Sequence, residues 1–458
     1  MTTGLTVLDV IDAVAREAML FAAIGFLIGG LDDLLVDLAY GYAQLRRRLR
    51  GELPRPLDAP LPPMAVFIPA WDEAAVIGAM LRATLARFGA APYRLYVGTY
   101  PNDRATIAAV AEVADADPRV RLVIGPTPGP TTKADCLNAL WRALLRDEAA
   151  GEPCTAVILH DAEDLVHPGE LALYAAWLRD HDAVQLPVCP LPDARSPLIA
   201  GHYLDEFAES HGKSLVVREL VGAALPFAGV GCAIRRDMLG RIADLRAGQP
   251  FDAASLTEDY ELGLTVSALG GRSRFVRARA EDGSLIAVRA YFPATLPAAV
   301  RQKARWLTGI ALAGWDRVGW QRGGSLREHW MRMRDRRATL AIPVLAIAYF
   351  ALLAWGASLA GHVLAASTLP MPEGAVALLL AVNAAMLAWR VALRIAFSWA
   401  AAGPLQAALA VPRVLVANLV ALLAARRALT LYWPMLGGAA ARWDKTDHRF
   451  PTGAGDGS

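Results

Sequence analysis

Residues 156–164 read Ala156-Val157-Ile158-Leu159-His160-Asp161-Ala162-Glu163-Asp164. A continuous apolar run of strand length that stops on a cluster of acids reads as a buried strand with polar chemistry at its carboxyl end. Three carboxylates within four residues repel one another unless a cation or a donor neutralises them. Asp161 and Glu163 are two apart, so in an extended turn both can face one divalent ion. Their hard oxygens suit magnesium or manganese, which bind through one or two carboxylates plus substrate phosphates. The same acids, just before Pro168, also read as an acidic helix N-terminus.

Working outward, Ala65–Pro69, Arg94–Gly98 and Arg121–Ile124 have the same strand-like character. Ala74–Phe88, the stretch after Asn102-Asp103 and Lys133–Leu145 have helical spacing between them. Alternating strands and helices predict a mostly parallel sheet covered on both faces, an α/β fold. Ligands in such sheets bind at the carboxyl ends of the strands. Asp72, Asp103 and Asp161 each follow a strand and so are expected along one edge.

Two further segments carry candidate chemistry. Thr257-Glu258-Asp259 opens the helical stretch Tyr260–Leu269. It reads either as an N-cap with acids in the first turn or as a general base, Asp259, for an acceptor hydroxyl. Gln302-Lys303-Ala304-Arg305-Trp306 is helical, which places Gln302, Arg305 and Trp306 on one face. An Arg there can pair with phosphate and a Trp can stack on a sugar; an interfacial anchor is the alternative. Lys133, near Asp135 and Asn138, reads as a nucleotide contact or a helix cap. Phe227-Ala228-Gly229-Val230-Gly231 permits close backbone approach. Metal-ligand histidine spacing, Walker A, G-x-S-x-G and G-x-G-x-x-G motifs are all missing from the sequence.

The flanks set the environment. Over 458 residues the chain is 55% apolar and 20% charged, too apolar for an ordinary soluble protein. Its net charge of +2 gives no field for nucleic acid. Four dispersed cysteines, with no C-x-x-C pair, fit a reducing compartment rather than a disulfide scaffold. Residues 1–50 read as a membrane anchor: an apolar run from Ala18 to Leu31 precedes Arg46-Arg47-Arg48, placing the basic end in the cytoplasm. Asp32 and Asp33 are costly in lipid and are expected to face protein or the interface. Residues 51–62 form a Pro-rich linker. Residues 338–372 contain no Asp, Glu, Lys or Arg, and Ala338–Ala360 as a helix covers about 34 Å, enough for a bilayer core. A second span runs from Gly374 to Arg390 and Arg394, which can snorkel at a cytoplasmic exit. Residues 404–436, broken by Pro404, Pro412, Arg413, Arg426 and Arg427, read as an amphipathic helix on the inner leaflet, with a further span as the alternative. The polar Trp443–His448 segment is expected to fold back onto the cytoplasmic part, and the final PTGAGDGS to be disordered. The expected units are thus 1–50, 51–325, 326–440 and 441–458.

Together these segments resemble a membrane-bound family-2 glycosyltransferase. Pro69-Ala70-Trp71-Asp72-Glu73 resembles the family's Pro-x-x-Asn-Glu strand end, with Asp72 in place of Asn. Asn102-Asp103 stands at its nucleotide-contacting Asp, and Lys133 through Asn138 resembles its Lys-rich helix. Asp161-Ala162-Glu163-Asp164 resembles its Asp-x-Asp metal motif, with Glu163 in place of the second Asp. Thr257-Glu258-Asp259 matches its base motif, and Gln302-x-x-Arg305-Trp306 matches the motif of processive cellulose and hyaluronan synthases. Gly98–Asp103, His160–Asp164 and Trp443–His448 are similar to the phage-adsorption inner-membrane protein B type. The resemblance implies a GT-A fold, Rossmann-like, with transmembrane and interfacial helices, acting in a bacterial inner membrane with its catalytic domain cytoplasmic. It implies an inverting transfer from a nucleotide sugar, a UDP-sugar, to a growing polysaccharide, coupled to export through an outer-membrane or periplasmic partner. Pro69, Asp72, Glu73, Asp103, Lys133 and Asp161 would bind the donor. Asp161 and Glu163 would hold Mg2+ or Mn2+. Asp259, with Glu258, would act as base, while Gln302, Arg305 and Trp306 would serve the diphosphate and acceptor. Rival readings are single transfer to a lipid-linked acceptor, a non-catalytic receptor or scaffold, and a transporter.

Overall fold

Strand β1, Met64–Pro69, is buried at all six positions. Its alternation sends Met64, Val66 and Ile68 into one core and Ala65 and Phe67 into another. A strand that is apolar on both sides needs cover on both sides, and the rest of the α/β part supplies it. The computed structural model describes residues 7–50, 60–438 and 449–451. Most of the 51–62 linker, Trp443–His448 and nearly all of the tail lie outside the described residues.

Helix α1, Val7–Arg50, precedes β1. Then follow α2 (Ile77–Phe88), β2 (Tyr93–Thr99), α3 (Arg104–Ala116), β3 (Val120–Ile124), α4 (Lys133–Ala149) and β4 (Ala156–Leu159). The next elements are α5 (Glu170–Trp177), β5 (Ala183–Gln185), β6 (Val188–Pro190), α6 (Ile199–Glu209), α7 (Leu215–Leu220), β7 (Cys232–Arg235) and α8 (Arg236–Leu245). After α9 (Glu258–Ala268), β8 (Ser273–Phe275), β9 (Val288–Ala290) and α10 (Leu296–Leu307) come α11 (Ala313–Val318) and α12 (Leu326–Arg336). The last two helices are α13 (Ala338–Leu364) and α14 (Gly374–Leu436).

The seven-stranded sheet has the order β3-β2-β1-β4-β7-β5-β8. Strands β1 to β4 pair in parallel, as the alternating pattern predicts. Strand β7 runs antiparallel to both β4 and β5, pairing Cys232 with Leu159 and with Gln185. A separate parallel pair, β6 and β9, lies beside it. One core packs α2, α3 and α5 on the sheet; the other packs α4, α8 and α9.

Three helices, Val7–Leu49, Ala338–Leu364 and Gly374–Leu436, are long and apolar enough to cross a membrane. Helix α1 runs antiparallel to α13: Asp32 and Asp33 meet Arg334 and Arg337 beside the start of α13, while Asp12 meets His362 near its end, at 2.9 Å. The costly acids of α1 therefore face protein cations, with Arg337 Nη1 2.7 Å from Asp33 and 3.0 Å from Asp32. Helix α14 is kinked where Ala402 and Gly403 leave helical geometry, Gly403 at φ +83°. Its second half packs Val420 against Ala299 and Tyr203, and Ala424 and Ala428 against Ala304. Arg390 pairs with Glu209 at 2.8 Å, so it is held by α6 rather than snorkelling.

Candidate active site

The carboxyl ends of β1, β2 and β4 bring Asp72, Asp103 and Asp161 to one edge. Asp103 is committed locally: Oδ2 accepts the Asp72 backbone N–H at 2.6 Å and Oδ1 accepts that of Thr106 at 3.2 Å, capping α3. Asp72 takes φ +54°, a conformation Asp tolerates better than most side chains. Glu73 is buried, and its N–H donates to Thr106 Oγ1. Pro69 ends β1 in register with Gly98. Trp71 stands edge-on to Tyr100, ring centroids 5.1 Å apart. Asn102 grips Gly129 through both its side-chain amide atoms, seating that loop against Trp71.

Behind β4, His160 is fully buried between two acids. Its ring nitrogens lie 3.1 Å from Asp164 and 3.1 Å from Glu170. Burial alone would lower its pKa, but Glu170 and Asp164 outweigh it and lift the imidazole to about 10. Asp164 in turn accepts the Asp161 N–H at 2.9 Å. A charged clamp thus fixes the backbone from which Asp161 projects.

Lys133 opens α4, behind an N-cap in which Thr132 accepts from the Asp135 N–H. Its Nζ lies 2.5 Å from Asp161 Oδ1 and 4.0 Å from Glu258 Oε1. Burial would lower the ammonium pKa, yet the charges of Asp161, Glu258 and Asp259 raise it. Burial pushes Glu258 up to about 7, and the neighbouring Asp259 adds to the rise. Asp259 is raised as well, chiefly by burial and against the pull of Lys133. The charge of Arg305 reaches both acids. Lys133, Asp161, Glu258 and Asp259 therefore meet in one place, from three separate elements.

Gly229 closes this place from the other side. It has φ +77°, and a Cβ there would lie 2.5 Å from Asp259 Oδ2 and 3.4 Å from Lys133 Nζ. Its loop is pinned by Gln185, whose Nε2 donates to the carbonyls of Val230 and Gly231 and whose Oε1 accepts the Ala228 N–H.

One expectation needs correction. Thr257 stands at the N-cap of α9, but its side chain makes no cap bond. The first-turn N–H of Tyr260 is accepted by Asp259 Oδ1 at 2.8 Å, while Ser255 accepts the N–H of Thr257 itself and donates to Glu261 at 2.7 Å. Asn138 holds the backbone of Phe251 with both amide atoms, and so steadies the approach to α9. Trp306 packs edge-on to Tyr203 at 5.9 Å, with Lys303 Nζ 5.1 Å from its ring. Gln302 Oε1 and Arg305 Nε on the same helix are buried without hydrogen-bond partners. Glu163 is buried in the turn two residues beyond Asp161.

As a donor set, Asp161 and Glu163 fit a hard divalent cation. Among the described residues no three His, Cys, Asp or Glu side chains form a ready cage. A pair of carboxylates leaves the other positions to water and phosphate oxygens, the usual arrangement for Mg2+. The ammonium of Lys133 already shows that this position attracts positive charge.

Residues 62–309 match a family described as glycosyltransferase like family 2. Bacteriophage adsorption protein B of Escherichia coli K12 and bacteriophage N4 adsorption protein B of E. coli O157:H7 are each 35% identical to this chain over 472 aligned residues. The alignments cover 96% of this chain, which spans 62% of each relative's length. The solved mannosyltransferase PcManGT of Pyrobaculum calidifontis, in complex with GDP-Man and Mn2+, aligns with a TM-score of 0.53 at 18% identity. That alignment covers 89% of this chain and 99% of the mannosyltransferase, a likeness of fold.

Proposed function

The chain belongs to the glycosyltransferase like family 2, and from that premise we propose that it transfers a sugar from a UDP-sugar to a growing polysaccharide at the cytoplasmic face of a bacterial inner membrane. The observation that carries this reading is the meeting of Lys133, Asp161, Glu258 and Asp259 against Gly229 at the ligand edge of the sheet. GDP-Man and Mn2+ in the mannosyltransferase of similar fold support a nucleotide-sugar donor and a divalent cofactor.

In this reading Asp72, Glu73 and Asp103 line the nucleoside end of the donor, with Pro69 ending the strand beneath it. Asp259 takes the proton of the acceptor hydroxyl as that oxygen attacks the anomeric carbon from the face opposite the leaving group. The bond from that carbon to the diphosphate oxygen breaks, its electron pair leaves with the nucleoside diphosphate, and the configuration inverts. Asp161 and Glu163 would hold Mg2+ or Mn2+, which would supply charge neutralisation at the departing diphosphate. Lys133 and Arg305 add fixed positive charge there, most effective where water is excluded. Burial, with the charge of Asp161 adding to it, raises the pKa of Asp259 and so strengthens it as a base. Gln302 and Trp306 flank the acceptor side, and a lipid-linked or free glycan end is the acceptor class.

The test is UDP release by the purified full chain across a panel of UDP-sugars with Mn2+ or Mg2+, beside Asp259→Asn, with product length measured. Release with one donor, lost in Asp259→Asn, and a polymeric product are expected. Undiminished release by Asp259→Asn would refute the assignment of the base, and a one-sugar product would refute processive growth.

A further inference from the structure

A polar seam runs between α6, α10 and α14, away from the reacting groups. Most of its charges are matched. Glu209 takes Lys213 at 2.7 Å and Arg390 at 2.8 Å, and Lys213 also reaches Asp37. Lys303 pairs with Glu206. Asp205 accepts from Ser398 at 2.7 Å and pairs with Arg413 at 3.1 Å.

Two groups stand apart: Asp205 Oδ2, buried without a hydrogen-bond partner, and Arg394. The latter stands one helical turn from Arg390 and one from Ser398, on the face of α14 that those residues turn to α6. Its charge is felt at His202, Asp205, Glu206 and Glu209. Among the described residues no carboxylate lies within ion-pair distance of it. A guanidinium does not shed its proton, so this one keeps its charge and can receive a further anion.

His202 supplies the second observation. It is 1% exposed, and its Nδ1 is engaged by the Ile199 carbonyl of its own helix. The other nitrogen, Nε2, is buried without a partner. Burial, then the charge of Lys303, brings the imidazole down to about 4, so Nε2 carries a bare lone pair. That lone pair calls for an O–H donor.

The depth of the seam indicates the source of such a ligand. Arg394 lies twenty residues into α14, about 30 Å along the helix from Gly374, which is the thickness of a hydrocarbon core. Trp389 and Trp399 flank it, 50% and 59% exposed, as aromatic residues do at headgroup level.

We propose that the α6–α10–α14 seam binds the headgroup of an anionic, hydroxyl-bearing membrane phospholipid, with Arg394 forking the phosphate and His202 Nε2 accepting from the hydroxyl. The proposal rests on the reading above that α14 crosses the membrane and that the catalytic edge faces the leaflet where Arg394 emerges. It adds a lipid site distinct from the residues given to donor and base.

The experiment uses the full chain in nanodiscs, with bound lipids counted by native mass spectrometry. The probes are phosphatidylglycerol, phosphatidylcholine and inorganic phosphate. In phosphatidylglycerol the wild type should hold a tightly retained lipid, reduced tenfold or more in Arg394→Gln and largely restored in Arg394→Lys. Equal retention of phosphatidylcholine by the wild type would overturn the proposal without any variant. So would undiminished retention by a folded Arg394→Gln. Displacement of the lipid by millimolar inorganic phosphate would assign the site to a soluble anion and overturn the lipid. The count needs no turnover. Loss of UDP release with Arg394-dependent retention would therefore fail the transferase reading alone, and the converse would fail the lipid site alone.

Discussion

Gly229→Ala should separate the geometry of the candidate base from the stability of the fold. The new Cβ would lie 2.5 Å from Asp259 Oδ2, where ordinary contact begins at 3.4 Å, so the carboxylate must retreat by roughly 0.9 Å. A misplacement near 1 Å costs about 10²-fold in rate, which is about 2.7 kcal/mol of barrier. The alanine also pays about 1–2 kcal/mol for holding φ +77°. That lowers the melting midpoint by about 2–8 °C for a domain of this size. Gly222→Ala is the matched control, because Gly222 has φ +71° but nothing within 4 Å of the added carbon. Both variants should lose similar thermal stability, and only Gly229→Ala should lose turnover, read as donor-dependent UDP release with saturating donor. Turnover of Gly229→Ala within threefold of wild type, or an equal loss in Gly222→Ala, would refute the claim that this close approach positions Asp259.

Turnover should rise about tenfold per pH unit below neutrality and level off above about 7, because the Glu258–Asp259 pair must be ionised to accept a proton and Glu258 is held at about 7; a flat profile from pH 5.5 to 8 would contradict this. Glu258→Gln removes the group held at about 7 and should move that limb down, whereas Lys133→Met removes the ammonium that lowers both acids and should move it up, both seen in the same profile. Chelation by EDTA should cut release by about 10²-fold or more, with recovery on adding Mn2+ or Mg2+; Asp161→Asn should not recover, and full activity in EDTA would exclude the ion. His160→Gln strips the cation from two buried acids and should cost about 3–5 kcal/mol of unfolding free energy in denaturant titrations. A loss below about 1 kcal/mol would mean that one of the acids carries a proton in the native state.

The parallel half of the sheet was legible because both-face burial leaves continuous apolar runs, and because Asp72, Asp103 and Asp161 each interrupt one. Strands β5, β6, β8 and β9 have only three residues each, too short for a period to show. The reversal at β7 is set by its partners Leu159 and Gln185, both distant in sequence. Gln185 left no signal either: a lone amide after two apolar residues says nothing about a loop some forty residues on, yet it holds Gly229 in place. Candidate residues within one short motif were visible together. That Lys133 reaches across to Asp161 and Glu258 follows only from how α4, β4 and α9 are stacked. At Thr257 the cap rule picked the right position, but the hydroxyl makes no cap bond, because the Tyr260 N–H is taken by Asp259 Oδ1.

One chain of contacts ties the candidate base to the apolar helices. Tyr260, next to Asp259 on α9, donates to Asp335 at 2.8 Å, and the same carboxylate receives both arms of the buried Arg218. Asp335 lies on α12, between Arg334 and Arg337, which grip α1, and three residues before α13 begins. A chain trimmed at residue 325 would keep Lys133, Asp161, Glu258, Asp259 and Arg305. It would nonetheless strand Arg218 without its counter-charge and cut Tyr260 loose beside the base. The catalytic half is therefore not a portable enzyme bolted to an anchor. The proposed base is mounted on the same frame as the bundle, so in the proposed reading bilayer thickness and detergent choice become variables of catalysis.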